Sequence, residues 1–252
     1  MKAFKLVGAA TAAALLLLTS CLGEGNNSFS NSGFGVGGVS EKSYKTILNT
    51  AYGALYSPNV SIMPDVCYLA SFEVDLSSEE NVNAAANGYY MATISGLQEI
   101  TKGTTDFYST SDTTALLNNE VVVKNMIFGS YIEKYIFLGM AYNAHKNQVN
   151  RYTLYWNQTA TDSVQVEDGV STYSLFLRAV RTNEGTGETL SSTSEYQAFK
   201  VGDVLESIMK KEGMKEADSF NLKIHYLSNI NEKDSTDLTW SSINVPFATI
   251  KE

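Results

Sequence analysis

Two histidines, His145 and His225, are the only imidazoles in the 252-residue chain, and they limit its acid–base chemistry. A serine hydrolase needs a base within hydrogen-bond reach of its nucleophile. His145 falls in Asn143-Ala144-His145-Lys146-Asn147, which reads as a hairpin loop, and His225 on the outward face of a strand. Neither has a Gly-x-Ser-x-Gly elbow to pair with, and the chain has no P-loop for phosphates. Glycosidases need only two carboxylates. The pairs on offer are Glu73/Asp75, which share one face of a strand, and Glu79/Glu80 and Glu167/Asp168, which fall in loops or turns. With 27 acids in the chain, solvated surface is the simpler reading of each pair. Asp162, Glu167 and Asp168 could offer oxygens to calcium, but the EF-hand spacing is missing. No catalytic residue, metal site or cofactor is assigned.

Aromatic residues are the better lead. The chain has 15 Tyr, 11 Phe and 2 Trp. Sugar C–H groups pack on flat rings while sugar hydroxyls bond to nearby amides. Tyr152, Tyr155, Trp156 and Trp240 are the candidates, with Asn150, Asn157 and Gln158 close in sequence to the first three. Trp156 and Trp240 also suit a sandwich core. Tyr155 and Trp156 are taken as the candidate glycan platform, with Tyr155, on the face opposite Trp156, the better of the two.

These residues need elements to hold them. A formal charge of −9 argues against nucleic acid or an anionic membrane surface as partner. A hydrophobic share of 44% supports a real core. Three prolines, 18% charged residues and abundant aromatics suit β-sheet. The start, MKAFKLVGAATAAALLLLTSC, has Lys2 and Lys5 before an apolar run too short to span a bilayer comfortably. Its end, Leu18-Thr19-Ser20-Cys21, resembles the bacterial lipobox, in which the cysteine thiol takes the lipid. Residues 1–20 are then a removable leader and Cys21 the lipid attachment. Removal takes two lysines and no acid, so 18 bases become 16 against 27 acids, a net charge of −11. Acyl chains rather than a basic patch then hold the protein to the membrane. Cys67, in an apolar run, reads as a buried thiol.

Residues 21–40 are rich in Gly, Ser and Asn and read as a flexible tether. Residues 41–118 are assigned to a small β-rich domain. Tyr44, Ile47, Leu48, Ala51 and Leu55 form a helical stripe at its N-terminus, with Gly53 and the aromatic tail leaving a strand as the alternative, and 67–75 and 88–96 are strands. The turn-rich stretch 103–119 marks the junction. Residues 119–252 are assigned to an antiparallel β-sandwich. Its strands fall in 121–128, 134–144, 149–157, 173–181, 220–227 and 238–250, with Asp168-Gly169 as a hairpin turn. One short helix interrupts them. Asp203 and Glu206 have capping-box spacing at its start, and Gly213 closes it. The fold class is mainly β.

The run 134–157, then 173–189, then 220–247, resembles in order the C-terminal half of NigD-like lipoproteins. That resemblance covers about half the chain. It implies a small OB-like N-terminal barrel before the β-sandwich and no established reaction. The family often has His after the Leu-Arg pair; here Ala179 follows Leu177-Arg178. Asp112-Thr113-Thr114, Asp162-Ser163-Val164 and Asp234-Ser235-Thr236 resemble O-glycosylation sites of extracytoplasmic proteins in the same bacterial group, but ordinary turns are the simpler reading of such triplets in a Ser/Thr-rich chain.

The expectation is a non-enzymatic, lipid-anchored protein of the outer membrane, facing the periplasm or the cell surface. Its partners would be the membrane, through the lipid, and a glycan or an envelope protein; nucleic acid is excluded. The alternatives are a carboxylate-pair glycan hydrolase and a subunit of a fimbria-like assembly. Two close acids in a concave cleft would favour the hydrolase.

Overall fold

A computed structural model describes residues 4–8, 27–157, 164–167, 169–213, 219–231 and 233–251. The chain is mainly β, with a small OB-like unit, a larger β-sheet unit and short helical segments. The N-terminal unit comprises residues 10–101 and 130–135; residues 1–9, 102–129 and 136–252 form the C-terminal unit. Cys21 lies outside the described residues. Of residues 1–20 only β1 (Phe4–Gly8) is described, paired antiparallel with the end of β16 (Asp234–Lys251).

The tether assigned to 21–40 is corrected where it is described. Ser28–Val39 is a twelve-residue strand, β2, with Val36 3% exposed. It pairs with β3 (Thr46–Thr50) on one side and β5 (Cys67–Asp75) on the other. Its glycines permit close approach rather than flexibility. A Cβ on Gly37 would sit 2.0 Å from the Met63 carbonyl oxygen, and one on Gly35 would sit 2.7 Å from the Leu48 side chain.

Within 41–56 the helix gives way to the strand alternative. Thr46–Thr50 and β4 (Gly53–Tyr56) form a tight hairpin, with Gly53 at φ 110. Leu48 and Leu55 face each other across it and are fully buried. Seven residues apart, two leucines share one side of a helix or meet across a short hairpin, so the spacing alone does not separate the two. Tyr44, part of the same stripe, is 84% exposed at the β2–β3 turn.

The remaining strands of this unit are β6 (Tyr90–Met91) and β7 (Thr93–Lys102), giving the order β6-β4-β3-β2-β5-β7. Two one-turn helices, α1 (Glu79–Val82) and α2 (Ala84–Asn87), precede β6. The core gathers Leu48, Leu55, Tyr68, Phe72, Val74 and Ile94. Cys67 is buried, as expected.

In the C-terminal unit, one sheet has the order β16, β15 (Ser219–Asn231), β13 (Val170–Asn183), β11 (Val149–Tyr155), β8 (Thr104–Asp106). A short β12 (Val164–Glu167) returns to β13 through a turn at Gly169 (φ 79). A second run of strands has the order β14 (Thr186–Lys200), β10 (Tyr135–Lys146), β9 (Val123–Ile132). The alternation read from sequence holds. Tyr152, Leu154 and Trp156, then Tyr173, Leu175 and Leu177, then Phe220, Leu222 and Ile224, are all buried. Residues 136–140 of β10 are buried on both faces.

Two details differ from a purely antiparallel sandwich. β13 and β15 run parallel, as do β11 and β8. A parallel pair needs a long crossover; β14 and helix α3 (Gly202–Glu212) lie between β13 and β15 in the chain. α3 stands where expected and Gly213 closes it at φ 60, but Asp203 lies in its first turn. The cap position is Val201, with no side-chain cap. Residues 102–118 belong to the C-terminal unit, not to the N-terminal domain. β8 pairs with β11, and the segment after it is tied to Arg178.

Candidate functional site

A concave cleft of about 670 Å³ opens in the C-terminal unit. Thr104, Thr105 and Asp106 of β8, Phe107, Tyr108, Lys200 at the end of β14, and Asp203 and Val204 of α3 line it. Gly103 sets β8 in place. Its N–H donates to the Ala198 carbonyl (2.9 Å), and a Cβ there would sit 2.2 Å from the Phe199 ring. Asp106 then turns the chain, its carboxylate accepting the N–H groups of Tyr108 and Ser109, each at 3.1 Å. The Tyr108 bond, first, and those from Ser109 hold this carboxyl below the usual carboxylate range. Tyr108 is left 84% exposed beside the cleft.

The segment leaving this turn is strapped to the sheet by Arg178, which is 2% exposed. The guanidinium forms a two-pronged pair with the carboxylate of Glu120, also buried. It also donates to the Ser111 hydroxyl (3.2 Å) and to the carbonyls of Asp112 and Ala115. Trp240 completes the strap: its indole N–H donates to the Thr113 carbonyl (3.1 Å), and its ring lies 5.2 Å from the Arg178 guanidinium carbon. Ala179, where the NigD-like pattern often has His, is buried, and its carbonyl accepts the Val121 N–H.

A second polar cluster lies deeper. The hydroxyls of Tyr142 on β10 and Tyr152 on β11 both donate to the same Glu195 oxygen on β14. Burial first, then the Glu195 bond, pushes the Tyr142 phenol up to about 12 and raises Tyr152 as well. Both phenols remain donors at neutral pH.

The two predicted platform residues lie in different surroundings, and neither is among the residues that line the cleft. Tyr155 is half-buried and stands in parallel register with Asp106. Trp156 is 3% exposed, its ring edge-on to Tyr173, so no ligand reaches it and the platform assignment is withdrawn for this residue. Trp240 is the half-buried partner of the strap.

His225 bonds the Ser174 hydroxyl at 3.2 Å and stacks on Phe176. Among the described residues no carboxylate pairs with it. Burial first, then Lys223, lowers its pKa. This is a serine–histidine contact without an orienting acid. His145 is half-buried beside the β10–β11 turn.

Glu73 lines a shallow depression on the N-terminal unit with Ser30, Ser32, Ser71, Thr93 and Ser95. Asp75 is engaged by Ser77, whose hydroxyl and N–H lower its pKa. Glu79 and Glu80 lie in the first turn of α1. Glu167 ends β12, whereas Asp162 and Asp168 lie outside the described residues. Among the described residues no three acids, histidines or cysteines are grouped to hold a metal. Asp112 and Asp234 each accept the N–H and hydroxyl of the threonine two residues on, the geometry of local turns.

Sequence reasoning missed Tyr108 and Asp106, having taken 103–119 as a domain junction. The available signal was Asp-Phe-Tyr, two adjacent rings set in a Thr- and Ser-rich stretch.

The architecture is that of an OB-fold unit followed by a larger β unit. Residues 25–98 match the Lipoprotein OB domain family. An uncharacterized protein from Parabacteroides merdae superposes with a TM-score of 0.71 at 24% identity, covering 86% of this chain and 98% of that one. A Bacteroides fragilis protein described as a candidate lipoprotein gives 0.55 at 14%, covering 86% and 97%. A NigD-like immunity protein from Bacteroides caccae gives 0.47 at 12%, covering 86% and 95%. The likeness is of fold, to a distant group of bacterial proteins rather than to NigD-like proteins in particular. No curated protein sequence matches.

Proposed function

We propose that this chain is a non-enzymatic, lipid-anchored protein of the bacterial outer membrane that binds a glycan in the Tyr108 cleft. The observation that carries this reading is the exposed Tyr108 ring beside a cavity of about 670 Å³, among Thr104, Thr105, Lys200 and Asp203. A flat ring with hydroxyl, ammonium and carboxylate groups around it suits a ligand with both C–H faces and hydroxyls. The strap held by Arg178 fixes the far end of the loop, so the ring is presented without a large ordering cost. The lipobox-like run Leu18-Thr19-Ser20-Cys21 and the likeness to lipoproteins of this fold support the location.

Glycan-array binding tests the reading. The mature chain should bind a subset of glycans, Tyr108→Ala should abolish that binding, and Tyr155→Ala should weaken it. An empty array would remove the sugar-binding role.

One observation favours the hydrolase as a second reading: Asp106 and Asp203 line the same cleft. The Asp106 carboxylate accepts two backbone N–H groups that lower its pKa, so in such a pair it could serve only as the ionised carboxylate and the acid would have to be Asp203. Reducing-end release from array-positive glycans, lost in Asp203→Asn, would establish hydrolysis and displace the binding-only role.

A further inference from the structure

The folded body begins much closer to the lipid than composition suggests. A free tether over residues 22–40 would let the domain range about 70 Å from Cys21. Instead the Asn27 carbonyl already accepts the Leu76 N–H at 2.7 Å, and β2 starts at Ser28. Six Cα–Cα steps from Cys21 to Asn27 reach at most about 20 Å. The point of entry therefore selects which surface meets the bilayer.

That surface is apolar where it is nearest. Leu76 is 40% exposed and Val82, on the adjoining helix α1, is 73% exposed. The helix does not swing freely. The buried Asn81 side chain donates to the carbonyls of Asp75 (2.7 Å) and Met91 (3.0 Å) and accepts the Met91 N–H (2.6 Å). Ser78 caps its start, and Asp75 closes the turn onto Ser77. Two aliphatic side chains are thus held on a rigid support at the base of a short leash. Around them stand Asp75, Glu79 and Glu80, all exposed and with no basic residue in α1. Three carboxylates oppose an anionic lipid surface and suit headgroups that carry an ammonium.

We infer that the Asp75–Val82 end of the N-terminal unit rests on the bilayer that receives the Cys21 lipid, with Leu76 and Val82 at the headgroup boundary of zwitterionic lipid. The inference rests on the lipid-anchor reading above.

The test uses the full lipidated chain in phosphatidylcholine vesicles, with an environment-sensitive dye on Val82→Cys. Cys67 is buried and does not compete for the label. The reference is Thr101→Cys, an exposed position beside Ile100, which pairs with Cys67 at the other end of β5, about 25 Å along the strand from Asp75. The label at 82 should shift to the blue and be quenched by spin-labelled lipid, and the label at 101 should do neither. Adding phosphatidylglycerol should reduce quenching at 82. A chain that floats with the vesicles but shows equal, water-like emission at both positions overturns the orientation and leaves the anchor standing. A chain that does not float overturns both. Stronger quenching with phosphatidylglycerol overturns the choice of headgroup.

Discussion

The two units differ in the charge that their interiors hold. The N-terminal unit relies on absent side chains: Gly35 and Gly37 let β2 lie against Leu48 and Met63, and its core cluster is aliphatic and aromatic. The C-terminal unit buries a charged pair, Arg178–Glu120, and two phenols on Glu195, whereas the polar side chains buried among the described residues of the N-terminal unit, Asn81, Ser40 and Ser57 among them, are neutral. Buried polar groups contribute little net stability over an apolar core, but they fix geometry. The buried ion pair belongs to the unit that holds the cleft, and Arg178 fixes the loop that begins at its rim. The difference suggests a division of roles, with one unit serving as a compact base and the other holding a binding loop in place.

The largest effect should come from breaking the buried pair. Arg178→Met leaves Glu120 charged, buried and unpaired, and should cost about 3–5 kcal/mol in denaturant unfolding. The double variant Arg178→Met/Glu120→Leu should recover most of that loss while loosening the 107–120 strap, which then keeps the Trp240 bond to Thr113 but none of the guanidinium bonds. Glycan binding should then fall even though stability returns. If binding returns with stability, the strap does not position Tyr108.

The contrast is sharpened from the other side by Gly37→Ala. The added methyl meets the Met63 carbonyl at 2.0 Å, and forcing β2 outward should cost about 1–3 kcal/mol. Gly96→Ala on β7, where the nearest atoms are 3.7 Å away, should change stability far less. Similar losses in both variants would mean that the glycines of β2 are not there for close approach.

These glycines also show where the sequence was legible. Strands with strict alternation, such as 149–157, 173–181 and 220–227, were readable because one face of each is buried. Helix α3 was readable from its period and its closing Gly213. β2 was not, because Gly, Ser and Asn have the same composition in a linker and in a strand pressed against its neighbours. The hairpin at 46–56 was not separable from a helix because Leu48 and Leu55 satisfy both periods. The cleft was hidden for another reason. Its lining comes from β8, the turn after it, the end of β14 and α3, nearly a hundred residues apart, and no local pattern joins them. Tyr155 could be singled out by type, but its register with Asp106 is a tertiary fact.

A smaller effect is expected at the shared carboxylate. Tyr142→Phe removes one of the two donors to Glu195 and should cost about 1 kcal/mol at neutral pH. The pH dependence follows from the raised phenol. Its stability contribution is fully present below the ordinary tyrosine value of 10.0 and is lost as pH rises toward about 12. Wild type should therefore lose stability across that window, and Tyr142→Phe should lose less, leaving Tyr152 as the remaining contributor. Identical alkaline profiles would mean that the hydroxyl is not held as the geometry describes.

The smallest effect on stability should be the most informative about function. Tyr108 is 84% exposed and its N–H, not its ring, carries the bond to Asp106. Tyr108→Ala should stay within about 0.5 kcal/mol of wild type. A side chain of that size, left in water at a fixed turn, contributes nothing evident to folding, so a loss of glycan binding in this variant could not be charged to unfolding. A variant that unfolds instead would place Tyr108 among the structural residues, and the cleft would lose the feature that recommends it as a site.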